Sequence, residues 1–113
     1  MDAEEKLYNI LNNEEIPAYH LASFLDVTAI PDKFFIFNNI QTSNIRADNK
    51  IAYEAIYYQI YYYSSSPVNL RTIVKAKIKE LESAGFSCGA IEDIGKIDRK
   101  FGLEFTALII SKF

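Results

Sequence analysis

The chain has 113 residues, half of them hydrophobic. That is enough for a single domain spanning residues 1–113, whose core can hide roughly two-thirds of the unfolded surface without a disulfide or a metal. A net charge of −3 argues against general nucleic-acid binding, which relies on clustered Lys and Arg. No apolar run approaches the ~18 residues needed to span a bilayer, and the acidic start is the opposite of a signal peptide.

Asp2 and Glu5 make a capping pair for a first helix with an apolar stripe of Leu7, Ile10 and Leu11, which Asn12 and Asn13 let end. Pro17 then starts an extended segment. Pro31 precedes Phe34 to Phe37, four consecutive apolar residues that predict a central strand covered on both faces. From Gln41 to Lys50 the chain is polar and has no glycine. It is too long for a tight turn, which predicts an extended, mobile loop where Arg46, Asp48, Asn49 and Lys50 can meet a partner.

Ile51 to Tyr63 is dominated by Ile and Tyr, which suit a pleated, half-buried backbone. Alternation sends Ile56, Tyr58, Ile60 and Tyr62 to one face, the better core face. Tyr53, Ala55, Tyr57, Gln59, Tyr61 and Tyr63 go to the other, whose hydroxyls and amide suit protein contact or a covering element of the same chain. Ser66 and Pro67 mark a helix start, with Asn69 as a second candidate cap. Leu70, Ile73, Val74, Ile78 and Leu81 form its buried stripe, and Gly85 stops it. Two more strands follow, Phe86 to Ile94 and Arg99 to Lys112, joined by a turn near Gly95 to Asp98. The apolar run containing Leu108 and Ile110 needs a cover from the sheet, the first helix or another subunit.

The predicted order is therefore α-β-β-β-α-β-β. It describes an α+β fold with a largely antiparallel sheet and two helices packed on it.

Catalytic groups are sparse. His20 is the sole histidine, and Cys88 the sole cysteine, read as a small buried residue rather than a nucleophile. Glu4 and Glu5, like Glu14 and Glu15, are adjacent and so do not share a helix face. With no glycine-rich phosphate loop or nucleophile elbow, the chain reads as a non-enzyme without a cofactor or metal site. Charge is distributed unevenly instead. The first helix carries Glu4 and Glu5, whereas Arg71, Lys75 and Lys79 make a basic stripe, so neighbouring copies could pair head to tail.

Taken in order, Ile16-Pro17-x-Tyr19, Pro31-x-x-Phe34-Phe35-Ile36-Phe37, Ala47-Asp48-Asn49-Lys50, Tyr58-Gln59-Ile60-x-Tyr62 and Leu81-x-x-x-Gly85-Phe86 resemble the tail-completion, or tail-terminator, proteins of long-tailed bacteriophages, also called head-tail joining proteins. The resemblance implies a structural subunit of a phage or prophage tail, assembled in the bacterial cytoplasm and carried in the virion. It implies a homo-oligomer, a hexameric ring, that caps the tail tube and meets tail-tube and head-connector proteins. Subunit contacts would then draw on Glu4, Glu5, Arg71, Lys75, Lys79, Tyr57, Gln59 and Tyr61. The alternatives from the residues alone are a small regulatory or ligand-binding α+β domain, and a small enzyme acting through one Glu or Tyr.

Overall fold

A computed structural model describes residues 2–48 and 50–112. Its elements in chain order are α1 (Ala3–Leu11), β1 (Ala18–His20), α2 (Leu21–Phe24), β2 (Lys33–Ala47), β3 (Lys50–Ser64), α3 (Leu70–Ser83), β4 (Ser87–Cys88), β5 (Glu92–Ile97) and β6 (Lys100–Lys112). The fold is α+β. Among the described residues, six strands form one mostly antiparallel sheet in the order β1-β2-β3-β6-β4, with β5 pairing beside β4 along β6, and only β1 and β2 run parallel.

The local signals explain most boundaries. Asp2 accepts the Glu5 N–H at 2.8 Å and caps α1. Asn12 and Asn13 end it by accepting the N–H groups of Ala18 and Ile16 at 3.0 and 2.7 Å. Helix α3 closes in a Schellman motif: Gly85, at φ +101, donates to the Glu82 carbonyl while Phe86 donates to that of Leu81. Its start lies later than the Ser-Pro signal. Ser66 Oγ accepts the Val68 N–H at 3.2 Å and so caps a turn, and the helix begins after Asn69, which sits in the left-handed region without a side-chain cap bond.

Helices α1 and α3 lie on one face of the sheet. Leu7, Leu11, Val74 and Leu81 meet Phe35, Phe37, Tyr58, Ile60, Tyr62, Leu103, Phe105 and Ala107 there in a single core. The predicted register of β3 is therefore the observed one. Lys77 ties the helices by donating to the Ile10 carbonyl at 2.8 Å, a cation on the free carbonyls of the α1 C-terminus. All four residues Phe34 to Phe37 are buried, with Phe35 and Phe37 in the core and Phe34 and Ile36 facing the other way.

The segment Gln41 to Lys50 is not a loop. Its first part, Gln41 to Ala47, extends β2 in pairing with β3, and the reversal takes only the residues between Ala47 and Lys50. Asp48 adopts φ 52, as tight two-residue hairpin turns require, while Asn49 lies outside the described residues. The polar composition belongs to an edge. Beyond Phe37 β1 has ended, and Asn39 Oδ1 accepts the Gln41 N–H at 3.1 Å while Gln41 Nε2 donates to Ser43. Side chains and a bulge at Asn39/Gln41 thus blunt an otherwise open strand edge.

The predicted strand Phe86 to Ile94 is likewise two short ones, β4 and β5, because the chain leaves the β6 edge between Cys88 and Glu92.

Candidate functional site

Strand β3 has 15 residues. At ~3.3 Å per residue it runs the full length of the molecule, whose long axis is 51 Å. Past the helices, the ends of β2, β3 and β6 therefore project as a three-stranded arm.

The face of this sheet opposite α1 and α3 is largely bare. At its inner end the single turn of α2 reaches it, where Phe24 stacks on Phe34 at 5.0 Å, with Ile30 and Ile97 nearby. From there the rings continue across the strands, Phe34 on Tyr63 at 5.4 Å and Tyr63 on Tyr61 at 6.2 Å. Tyr57, Gln59 and Tyr61, expected on a contact face, are half-buried on this face. Gln59 donates its amide to Glu104 at 3.1 Å, so the middle of the face is polar but satisfied. Burial, with Tyr61 and Glu104 adding, raises the Tyr63 pKa. Of the two residues that needed a cover, Leu108 is half-buried whereas Ile110 is 57% exposed.

At the inner end of this face lies a cleft of about 210 Å3, walled by Phe24, Ile30, Phe34, Ile36, Ile97 and Asp98. Its walls come from three separate segments, and the sequence reading missed it. Opposite, at the arm tip, Arg46, Asp48 and Lys50 are exposed. Ile45 and Tyr53 pair directly across the hairpin there, on the open face.

The charged helix residues stand apart from all of this, on the other face of the sheet. Glu4, Glu5, Arg71, Lys75 and Lys79 are exposed, and Glu4 approaches His20 Nε2 at 3.3 Å. His20 Nδ1 accepts the Ala22 N–H at 3.1 Å, so this histidine holds the start of α2 to α1. The structure therefore places the expected contact residues in three groups, on the open face, at the arm tip and on the helix layer, without bringing them together.

Burial, then the Glu82 carboxylate, pushes the Cys88 thiol up to about 11, which disfavours the reactive thiolate. No group of three or more His, Cys, Asp or Glu among the described residues is placed to hold a metal ion. No helix among them is long and apolar enough to cross a membrane. Comparison of the sequence with family models and with curated proteins finds no match.

Proposed function

We propose that this chain is a structural subunit of a phage or prophage tail, forming a ring that ends growth of the tail tube and joins it to the head. The observation that carries this reading is the open sheet face continuous with a projecting arm. A monomer that leaves one side of a 15-residue strand lined with half-buried tyrosines and exposed aliphatics is built to be covered by protein. The resemblance in motif order to tail-terminator proteins supplies the identity of the assembly.

The mechanism is geometric. A ring whose one surface matches the last tube ring and whose other surface does not allows no further addition, and that second surface docks the connector. None of this requires a catalytic group.

Disrupting the chain in its source phage or prophage should give headless tails of unregulated length. Antibody against the protein should mark the head-proximal tail end in normal particles by electron microscopy. Infectious particles of normal tail length from the disrupted source would refute the reading. The ligand-binding alternative has one observation in its favour, the apolar cleft beside Phe24, and would be preferred if a small apolar molecule co-purified there.

A further inference from the structure

We infer that the cleft is the docking site for a second copy of this chain, which inserts the Ile45 and Tyr53 side chains of its arm tip against Phe34, Ile36 and Ile97. The inference deepens the ring reading above and rests on it.

Four features of the molecule converge on this occupant. The arm tip and the cleft are both apolar and both unfilled. Ile45 and Tyr53 are 42% and 41% exposed, and at the cleft rim Ile30 and Ile97 are 56% and 52% exposed. The cleft volume of about 210 Å3 exceeds the ~150 Å3 that accommodates a benzene ring, so it can receive an aliphatic side chain with part of an aromatic one.

The two surfaces cannot satisfy each other within one chain. They share a face, since Tyr53 and Tyr63 lie on the same side of an unbroken register between β3 and β6. Yet Tyr53 and Tyr63 are separated along a rigid strand by roughly 33 Å.

Charge matches as well. Arg46 and Lys50 outnumber Asp48 at the tip, and Asp98 stands in the cleft wall with no ion pair among the described residues. Lys100, which also lines the cleft, donates to Ser65 Oγ at 3.1 Å.

The polar centre of the face selects the symmetry. Two copies stacked face to face would also bring each tip toward the other's cleft, but would take Glu104 out of water with only the Gln59 amide as partner. A head-to-tail contact covers the ends and leaves that centre wet. Such heterologous contacts repeat, and close into a ring when the rotation per subunit allows.

The test is sedimentation equilibrium of the full chain over a concentration series. Wild type should form a species larger than a dimer. Ile45→Asp and, separately, Ile97→Asp should weaken assembly by about 100-fold, as expected when a central apolar anchor is replaced by a charge. Both residues lie near turns and are largely exposed, so thermal melts should show both variants folded. An equimolar mixture should stop at the heterodimer, because one intact tip then meets one intact cleft and no further contact is possible. Lys75→Glu with Lys79→Glu should assemble like wild type.

A wild-type dimer would indicate face-to-face stacking, and a wild-type monomer at every concentration would remove the contact. A ring indifferent to both Asp variants, or one dissolved by the lysine reversals instead, would move the contact elsewhere. Each of these overturns the inference. Failure here is separable from failure of the tail role: a ring that forms through other residues and still marks tail ends leaves that role standing. A tip-and-cleft ring absent from tails would remove the role and leave the contact.

Discussion

The Tyr62 hydroxyl is fully buried and has no hydrogen-bond partner among the described residues. Ser64 lies close enough to oppose, weakly, the rise that burial imposes on the phenol pKa, but no bond of acceptable geometry joins them. Ser64 Oγ instead accepts the Ser66 N–H at 3.2 Å. An unpaired buried hydroxyl costs ~1–3 kcal/mol relative to its solvated state. Tyr62→Phe removes that cost and leaves at most a void of ~15 Å3, which at ~24 cal/mol per Å3 loses only about 0.4 kcal/mol. The variant should therefore be stabilised by roughly 1–2 kcal/mol, a rise in melting temperature of about 4–8 °C for a domain of this size. Urea unfolding at neutral pH with a common slope would measure it, alongside Tyr61→Phe on the open face, which should change by less than ~0.5 kcal/mol. A double-mutant cycle with Ser64→Ala should give no coupling. Destabilisation by Tyr62→Phe, or a coupling energy with Ser64 of more than ~0.5 kcal/mol, would show that the hydroxyl is paired after all.

Other consequences follow from the same core. Ile60→Asp would place an unpaired charge beneath the helices, at a position with no exposure, and should abolish cooperative folding; a soluble protein with a sharp urea transition would contradict the register of β3. Cys88 is pushed up to about 11 from 9.0, and Tyr58, by burial first and then by Glu4, Asp2 and Glu54, to about 12 from 10.0. Both groups are held neutral more firmly in the folded state than in the unfolded one. Their stabilisation is complete below pH 9 and is lost from pH 9 to about 11 for Cys88 and from pH 10 to about 12 for Tyr58. Melting temperature should fall across those windows, and Cys88→Ala should remove the earlier part of the fall. At Gly102 an added Cβ would lie 2.7 Å from the Ile94 side chain and 3.0 Å from the Tyr63 ring. Gly102→Ala should therefore displace Ile94, loosen β5 and cost ~1–3 kcal/mol by urea unfolding, with an unchanged midpoint arguing against that packing.

The fold was legible where a period carries it. Alternation along Tyr58, Ile60 and Tyr62, and the three-and-four spacing from Leu70 to Leu81, depend only on backbone geometry, and burial follows both. Legibility failed where composition stood in for geometry. Gln41, Ser43 and Asn44 are poor strand formers, yet an edge strand needs only one partner, and β3 supplies it while Gln41 bonds to Ser43 and Asn39 to Thr42. The hairpin signal was present in Asp48-Asn49, residue types suited to left-handed turns, but the polar run in front of it masked where the strand ended. The cleft had no signal of this kind. Phe24, Ile36 and Ile97 converge only because β2 lies next to β3 and β5 folds back on β6, a tertiary arrangement that no local pattern encodes.

The same distinction bears on function. Both faces of β3 are rich in large side chains, so hydrophobicity alone did not say which would be left uncovered. The aliphatic and aromatic set Ile56, Tyr58, Ile60 and Tyr62 went under the helices, and the set interleaved with Gln59 stayed outside. Tyrosine suits the outer position because its ring adds apolar area to an interface while its hydroxyl stays hydrated before assembly. Ile45 and Ile110 have no such polar end, and they sit on the arm, beyond the reach of either helix. Their exposure costs the isolated chain solubility with no return in folding. Burial of both residues in the proposed assembly would offset that cost.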